Sequence, residues 1–556
     1  MKIALAQLNY HIGNFESNIQ KIIHAVHQAK KQKVDIVIFA ELAVSGYPPR
    51  DFLDFHDFVE KCKDAISVIA KECVGIAAIV GGPSTNKNPK GKHLYNTAFF
   101  LEDGKIKNTV NKTLLPNYDV FDEYRYFEPN REFNLITLKD KKIAVTICED
   151  LWNISNDPLY VLNPMDELAN QKPNFIINIA ASPFHYAQSE IRKDILKRNA
   201  IKYKLPVFYV NHVGAQTELL FDGGSMAIDA NGNIIEELNY FEEDFKIFEL
   251  PFSETSVTQQ QKSPIPNPYS PVPNPQSPIP LIHDALVMGI RNYFQKLGFT
   301  KAVLGLSGGI DSAVTLVLAA KALGNENVKA VLMPSQFSSE HSIKDAKDLA
   351  ENLKVNYDII NIEEAYHSFG KTLKPVFKNL PFDLTEENIQ ARIRAVILMA
   401  MTNKFGYILL NTSNKSEAAV GYGTLYGDMC GGISVLGDVY KTQVYELAEF
   451  INKSAEIIPQ NTITKAPSAE LRPNQKDADS LPQYEILDKI LFEYIEHFKG
   501  PNELINMGFD EAVVKKVLKL VNTNEYKRYQ TPPVLRISPK AFGMGRRMPI
   551  VAKYLS

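Results

Sequence analysis

Residues 304–313 read LGLSGGIDSA and combine a glycine-rich turn with an acidic side chain. The glycines permit a positive φ and let backbone N–H groups approach a ligand closely, and the free N–H groups of a following helix attract anions. Asp311 could then hold Mg²⁺, which prefers carboxylate and phosphate oxygens. The pattern predicts a phosphate site, although the loop lacks the GxxxxGK[ST] spacing of a Walker loop. The simpler interpretation is a tight turn with Asp311 as a helix N-cap.

Cys148 is the cysteine whose position best suits a nucleophile. It closes the apolar run KKIAVTIC and precedes two acids, so its sulfur could face a pocket at the end of a strand. Attack requires the thiolate, and because the pKa of a free cysteine is about 8.5, a nearby cation or base is needed. Glu41, which closes DIVIFAE, and Lys112 are the candidates. Cys62 and Cys73 are interpreted as inert packing residues.

A proline-rich segment separates these two groups. Residues 263–280, SPIPNPYSPVPNPQSPIP, carry proline at eight of eighteen positions. Proline fixes φ and removes N–H donors, so the segment is expected to be a polyproline-like spacer, with an SH3-type ligand as the alternative. The predicted organisation is a first domain over 1–254, a linker over 255–281 and a second domain over 282–556.

Both halves have the patterning of α/β proteins. Before the linker, continuous apolar runs such as KIALAQL, DIVIFAE and NFIINIA predict strands that are buried on both faces. They indicate an α/β sandwich in which strands dominate. After the linker, strands and helices alternate, which predicts a doubly wound parallel sheet. Such sheets bind ligands at the carboxyl ends of their strands, where the SGG loop lies.

Composition limits the function classes. The 556 residues carry a net charge of −3 without a block of Lys or Arg, which argues against a nucleic-acid partner. No run of 18 apolar residues is present, so no membrane span is expected. The four cysteines form no CxxC pair, which argues against a zinc site or a disulfide framework and fits the reducing cytoplasm.

The second half resembles a known family. SGGIDS is similar to the pyrophosphate loop of the N-type ATP pyrophosphatases, which adenylate a carbonyl oxygen. TEENIQARIR, NTSNKSE, GYGTLYGD, VYKTQVYELA, KAPSAELRP and EYKRYQTPP follow in order, and together they resemble the NAD synthetases over most of residues 282–550. Shorter, ammonia-using relatives have a lysine where this chain has Leu425, so that contact is not carried over.

The resemblance implies a set of binding residues. The implied ATP contacts are Leu306, Ser307, Gly308, Gly309, Ile310, Asp311, Ser312, Ala313, Thr412, Lys441 and Ser468. The implied deamido-NAD contacts are Asn388, Arg392, Glu417 and Lys527. Asp311 and Glu417 are the implied ligands of Mg²⁺. Arg394 lies on the same predicted helix, with no role implied. Arg392 could instead form a surface ion pair, and the pair Arg546 and Arg547 could bind phosphate or simply be exposed.

The first half resembles the nitrilase superfamily over about residues 1–250. FAELAVSGYPPRD, KTLLPNYDVFDEYRYF and ICEDLW carry the resemblance, which implies an α-β-β-α sandwich with the catalytic triad Glu41, Lys112 and Cys148. The implied glutamine contacts are Tyr118, Ser182 and Gln188. Relatives have Lys or Arg at the last of these positions, so the contact to the substrate carboxylate is weakened, and Arg192 is a substitute by position alone. Taken singly, Glu41 and Lys112 could form an ordinary salt bridge.

Together the halves resemble the glutamine-dependent NAD synthetases. The resemblance implies ATP-dependent amidation of deamido-NAD with ammonia from glutamine, an adenylated intermediate, an ammonia tunnel and a homo-oligomer. Two alternatives stay open. One is another amidating or thiolating pyrophosphatase, such as an enzyme that modifies tRNA. The other is a first half that is regulatory and has no catalytic function.

Overall fold

The computed structural model describes residues 1–155, 157–252, 278–378, 380–473 and 475–555. The chain divides into two compact units, Met1–Gln276 and Ser277–Ser556. Most of the predicted linker lies outside the described residues. Its interpretation as a spacer or as an SH3-type ligand therefore stays a prediction. A helix begins at Ile279, so the last three residues of the predicted linker are helical, because the first helical turn accommodates Pro280. Within the described ranges we find no helix with the length and hydropathy needed to cross a bilayer.

The strands of the first unit account for most of its core. They are β1 (Lys2–Gln7), β2 (Ile36–Ile38), β3 (Ala77–Thr85), β4 (Leu94–Glu102), β5 (Lys105–Asn111), β6 (Ile136–Leu138), β7 (Lys141–Ile147), β8 (Phe175–Ile179), β9 (Val207–Val210), β10 (Val213–Gln216), β11 (Leu219–Asp222), β12 (Met226–Ile228), β13 (Ile234–Glu237) and β14 (Asp244–Glu249). One sheet has the order β14-β1-β2-β3-β4-β5 and the other has the order β13-β12-β9-β8-β7-β6, while β10 and β11 form a ribbon.

Helices cover the outer faces of the two sheets. They are α1 (Phe15–Lys31), α2 (His56–Glu72), α3 (Pro164–Ala169) and α4 (Gln188–Tyr203). The first two pack on the sheet that holds β2 and β3, and the other two pack on the sheet that holds β7 and β9. The sheets contact each other through β1 and β9 and through β4 and β7. This four-layer arrangement confirms the predicted sandwich, and the central strands β2 and β8 are buried along their whole length, as their continuous apolar runs predict.

The second unit is built around a five-stranded parallel sheet. Its strands are β15 (Ala302–Gly305), β16 (Val328–Leu332), β17 (Asn356–Ile359), β18 (Ile408–Asn411) and β19 (Ile433–Ser434). The order is β17-β16-β15-β18-β19, and every pair is parallel. The chain moves outward from β15 to β17 and then returns to place β18 beside β15. The loops after β15 and β18 therefore meet at a topological switch point, where doubly wound sheets bind ligands.

The helices of the second unit alternate with these strands, as predicted. They are α5 (Ile279–Leu297), α6 (Ile310–Leu323), α7 (Glu340–Asn352), α8 (Glu363–Phe377), α9 (Leu384–Phe405), α10 (Lys415–Val420), α11 (Lys441–Ile451), α12 (Gln460–Thr464), α13 (Tyr484–Ile495), α14 (Pro501–Asn506), α15 (Glu511–Thr523) and α16 (Glu525–Arg528). α6 ends before Gly324, which has φ +90°, a value that glycine adopts without strain. α9 begins with a capping box formed by Asp383 and Glu386.

Candidate active sites

Glu41, Lys112 and Cys148 come together in the first unit. Lys112 Nζ lies 2.7 Å from Glu41 Oε1 and 2.7 Å from a carboxylate oxygen of Glu123. All of these side chains are buried. Burial by itself would lower the pKa of Lys112, but the charges of Glu123 and Glu41 outweigh burial and hold that pKa well above its ordinary value. Lys112 is therefore a permanent cation beside the thiol.

The nucleophile candidate sits on a strained turn at the end of β7. Cys148 has φ +44° and starts the short 3₁₀ turn Cys148–Leu151. A non-glycine residue in the left-handed region costs about 1 kcal/mol or more, and such strain is typical of functional turns. Burial and the neighbouring Glu41 carboxylate raise the pKa of Cys148 well above its usual range, and Lys112 offsets only part of this. The resting group is a thiol, so attack requires a base.

Glu41 is held in the orientation that a base needs. Its Oε1 accepts from Asn96 Nδ2 at 2.7 Å as well as from Lys112, and its Oε2 accepts from the backbone N–H of Ala181 at 2.8 Å. These partners come from β4, from the segment after β5 and from the segment after β8. The carboxylate is thus fixed by three separate parts of the sandwich, which pre-organises it for proton transfer.

Two further acids, Glu123 and Asp150, complete this site. Both lie inside the sequence motifs, but their roles were not predicted. Glu123 accepts from Lys112 and from Tyr47 Oη at 2.8 Å. Asp150 Oδ1 accepts from the backbone N–H groups of Thr113 and Leu114, and its Oδ2 accepts from Ile147 N–H. Asp150 thereby ties the segment after Lys112 to the turn of Cys148. The sequence indicated these two acids only through their place in the motifs VFDEYRYF and ICEDLW.

Of the predicted glutamine contacts, Tyr118 bonds to the turn of Cys148, and Ser182 and Gln188 bond to each other. Tyr118 Oη donates to Glu149 Oε1 at 2.8 Å, and Gln188 Nε2 donates to Ser182 Oγ at 3.3 Å. Burial raises the pKa of Glu149 to about 7. Gln188 is the first residue of α4, so its side chain stands at the start of that helix.

The suggestion that Arg192 replaces a cation at position 188 is wrong. Arg192 is buried, and its Nη1 and Nη2 donate to the two carboxylate oxygens of Asp222 at 3.0 and 2.9 Å. A bidentate pair of this kind balances the charge of both groups. The side chain therefore has a structural role and is not directed at a substrate carboxylate.

The SGG loop at the end of β15 has the geometry of a ligand-binding turn. Gly308 has φ +80°, and a Cβ at this position would lie 2.2 Å from the backbone oxygen of Ser342, so only glycine fits. Ser312 Oγ donates to the oxygen of Gly309 at 3.0 Å and fixes the loop from within. Gly309 is the N-cap of α6. The interpretation of Asp311 as a helix N-cap is therefore wrong, because Asp311 lies inside the helix.

Asp311 points across the switch point toward α10 and α11. Its carboxylate accepts from Lys441 Nζ and, at 2.9 Å, from Asn414 Nδ2. Lys441 Nζ also lies 3.7 Å from Glu417 Oε1. Burial and the charge of Asp311 raise the pKa of Glu417. Two carboxylates thus share one cation at the mouth of the phosphate loop, which fits a divalent cation because Mg²⁺ needs only one or two carboxylates beside phosphate and water oxygens. No group of three or more metal-binding side chains occurs among the described residues.

These loops enclose a cavity of about 800 Å³, a size suited to small-molecule ligands. The wall includes most of the residues predicted for this site: Leu306, Ser307, Gly309, Ile310, Asp311, Ser312, Asn388, Arg392, Thr412, Glu417, Lys441, Ser468 and Lys527. Gly308 and Ala313 are not part of this wall. Gly308 packs against Ser342, and Ala313 is buried within α6.

The deamido-NAD candidates gather around residues 421–428. Arg392 Nε donates to the backbone oxygen of Leu425 at 3.1 Å, and Thr424 Oγ1 donates to Asn388 Oδ1 at 2.7 Å. Lys527 Nζ donates to the oxygens of Gly421 and Gly423, and burial lowers its pKa. The contact from Arg392 uses a backbone atom of residue 425, so it does not depend on the side chain that differs from shorter relatives.

The two arginines near the C-terminus have different surroundings. Arg546 Nη1 donates to Glu525 Oε2 at 2.6 Å, and Arg528 donates to the same oxygen. Arg546 is buried, whereas Arg547 is exposed. The structure therefore gives Arg546 a role in packing the C-terminal segment against α16.

Comparisons with known proteins assign the two units to two families. Residues 2–260 match the carbon-nitrogen hydrolase model, and residues 282–531 match the NAD synthase model. The chain is 43% identical over 559 residues to the glutamine-dependent NAD(+) synthetase of Synechocystis sp., covering 99% of each chain. It is 41% identical over 581 residues to the enzyme of the same name from Thermotoga maritima, covering 100% of this chain and 99% of the relative. The solved structure of the glutamine-dependent NAD+ synthetase from Acinetobacter baumannii in complex with ADP is 40% identical, with a TM-score of 0.75 and coverage of 99% and 98%.

Proposed function

The chain belongs to the glutamine-dependent NAD(+) synthetases, and from that premise we propose how its residues divide the reaction. The reaction is the ATP-dependent amidation of deamido-NAD to NAD with ammonia released from glutamine. The enzyme is a glutamine-hydrolysing carbon–nitrogen ligase. We propose that residues 1–254 release the ammonia, that residues 282–556 consume it, and that residues 255–281 join the two.

In the first unit Cys148 attacks the side-chain amide carbon of glutamine. Glu41 takes the thiol proton, because the raised pKa of Cys148 leaves no resting thiolate, and it then returns a proton to the departing ammonia. A thioester remains on Cys148, and water hydrolyses it to glutamate. Lys112 faces the oxyanion of the tetrahedral intermediate, and the loss of one such charge typically costs about 10²–10³ in rate. Tyr118, Ser182 and Gln188 position the substrate.

In the second unit the phosphates of ATP lie on the SGG loop at the N-terminus of α6. The residues that would hold Mg²⁺ are Asp311 and Glu417, and the bound ion would neutralise phosphate charge. Lys441 adds a cation at the same place, while Thr412 and Ser468 line the ATP side. Asn388, Arg392 and Lys527 orient deamido-NAD so that its carboxylate meets the α-phosphate. Attack of the carboxylate on the α-phosphate forms the adenylate and releases PPi. Ammonia then attacks the adenylated carbonyl carbon, and AMP leaves as the amide forms.

The observation that carries this proposal is the presence of two separate chemical sites on one chain. One holds the buried pair Glu41 and Lys112 next to Cys148, and the other holds Asp311, Glu417 and Lys441 at the switch point. The test is to supply ATP, glutamine and deamido-NAD and to measure AMP and glutamate together. Equal yields of AMP, glutamate and NAD are expected. Formation of AMP with tRNA in place of deamido-NAD would favour the tRNA-modifying alternative.

We further propose that ammonia reaches the second site without mixing with solvent. At neutral pH free ammonia is mostly ammonium, which is a poor nucleophile, so release would waste it. With amide-¹⁵N glutamine and an excess of unlabelled ammonium, the NAD should keep most of its label. Dilution of the label to the solvent ratio would contradict this route.

We also propose a homo-oligomer in the cytoplasm. Large apolar side chains around the end of α8 and the start of α9 are exposed, among them Val376, Leu380 and Leu384, and such patches usually mark protein contacts. A reducing compartment suits a nucleophile that must stay a free thiol. Light scattering coupled to size-exclusion chromatography measures the subunit number, and a monomer at micromolar concentration would contradict the proposal.

A further inference from the structure

Helix α9 presents two arginines to the same cavity, in different directions. Arg392 and Arg394 are two residues apart, so they project about 200° apart around the helix axis. Arg392 Nε donates to Leu425 O, in the segment that gathers the deamido-NAD candidates. Arg394 Nε donates to Met333 O at 3.0 Å, directly after β16. Both side chains line the cavity, at two different parts of its wall.

Arg394 lies on the side of the phosphate loop. Its strongest carboxylate neighbour is Glu470, which accepts from Ser339 N–H and from the hydroxyls of Ser339 and Ser342 at the start of α7. The backbone of Ser342 packs directly against Gly308 of the loop. Glu470 and Ser342 thus connect the neighbourhood of Arg394 to the SGG loop, where the ATP phosphates are proposed to bind.

The guanidinium of Arg394 has spare donors. Only its Nε hydrogen-bonds within the described part of the chain, and neither Nη atom meets a carboxylate there within ion-pair distance. Burial lowers the pKa of Arg394 to about 10, because Glu470 and Asp428 offset only part of the desolvation. The side chain is half-buried and lines the cavity, so its two free Nη groups can donate to an anion that enters there.

We infer that Arg394 binds a phosphate group of ATP, as a substrate-binding residue that acts beside the SGG loop. This inference rests on the proposed function, since it assumes that the cavity holds ATP and deamido-NAD. The two guanidinium groups of α9 would then serve the two substrates, Arg394 for ATP and Arg392 for deamido-NAD. A planar guanidinium suits this role because its Nη atoms can donate to two phosphate oxygens at once.

The test compares Arg394→Met with Arg392→Met and with Lys404→Met, an exposed residue at the end of the same helix that gives a matched loss of charge. Ammonium serves as the nitrogen source, so the assay does not depend on glutamine hydrolysis in the first unit. Wild type must form NAD from deamido-NAD and ATP, and failure here contradicts the proposed function and not the inference. Arg394→Met should raise the KM for ATP about 10- to 100-fold, the usual range for one charge-assisted contact, and leave the KM for deamido-NAD within about twofold. Lys404→Met should change neither.

Calorimetric titration then separates phosphate contact from base contact. Arg394→Met should weaken binding of ATP about tenfold or more and leave binding of adenosine unchanged, and Arg394→Lys should lie between Met and wild type. Equal loss for ATP and adenosine would mean that the guanidinium stacks on the base, which overturns the inference. An unchanged KM for ATP, or a rise for deamido-NAD alone, overturns it as well. If Arg394→Met unfolds at a lower temperature than wild type, the KM values and the binding of ATP and adenosine are measured on Arg394→Lys instead, and the same outcomes test the inference.

Discussion

The ammonium group of Lys112 lies 2.7 Å from Glu41 Oε1, and both side chains are fully excluded from solvent. Seventy-one residues separate them in the chain, so only the fold brings them together. Lys112 also faces Glu123, so a single cation balances two carboxylates. The arrangement holds the Glu41 carboxylate in a fixed orientation and keeps a positive charge near Cys148.

This charge balance predicts a stability effect. Lys112→Met leaves two buried carboxylates without a cation, and breaking a buried pair in this way costs about 3–5 kcal/mol. The expected result is a lower midpoint of thermal unfolding for the first unit. The control Lys107→Met removes an exposed partner of Asp103 and should change stability by under about 0.5 kcal/mol. Equal midpoints for the two variants would contradict the paired arrangement.

Glu149 predicts a pH dependence of stability. Its pKa is raised to about 7 in the folded chain, against 4.5 when exposed, so the folded state binds more protons than the unfolded state between these values. The free energy of unfolding should therefore fall as pH rises from about 4.5 to about 7, by roughly 3 kcal/mol from this group. Glu149→Gln keeps the acceptor for Tyr118 and removes the titration. Its thermal midpoint should vary less with pH than that of wild type, and parallel curves would refute this assignment.

Gln188 predicts weak binding of glutamine. A neutral amide beside Ser182 holds the substrate carboxylate less firmly than a cation does. Gln188→Lys should therefore lower the KM for glutamine about tenfold, since one charge-assisted contact contributes about 1.5–3 kcal/mol. Gln20→Lys on α1 makes the same charge change at an exposed position and should have no effect. An unchanged KM in Gln188→Lys would show that position 188 does not contact the substrate.

Asp311 predicts a loss that is independent of the nitrogen source. Asp311→Asn removes one of the two carboxylates at the phosphate loop, so NAD formation should fall at least about 100-fold with glutamine and with ammonium alike. Hydrolysis of glutamine to glutamate should remain measurable, because it takes place in the first unit. Asp348→Asn on the outer face of α7 is the matched control. Survival of PPi release in Asp311→Asn would contradict the role of this carboxylate.

Local sequence patterns were sufficient to predict most elements of the fold. The runs around β15, β16 and β18 predicted buried parallel strands, and the loop after β15 predicted the phosphate site, because both depend on neighbours in sequence. Gly308 was identified as a turn residue, but its contact with Ser342 depends on α7 packing beside the loop. That second requirement for glycine was not visible from the sequence.

Long-range polar partners could not be predicted. The pairing of Arg192 with Asp222 spans thirty residues, and it removes a cation that position alone made a candidate for the substrate carboxylate. Glu123 and Asp150 looked like ordinary acids within their motifs, and only burial beside Lys112 and Cys148 distinguishes them. Such assignments depend on which buried donors and acceptors meet, and a one-dimensional pattern does not contain that information.

The division of labour between the two units is tested most directly by Cys148→Ala with each nitrogen source. The substitution removes one buried sulfur and leaves Glu41, Lys112 and the whole second unit in place. NAD formation from glutamine should fall about 10³-fold or more, whereas NAD formation from ammonium should stay within about twofold of wild type. An equal loss with both nitrogen sources, or retained synthesis from glutamine, would contradict the account.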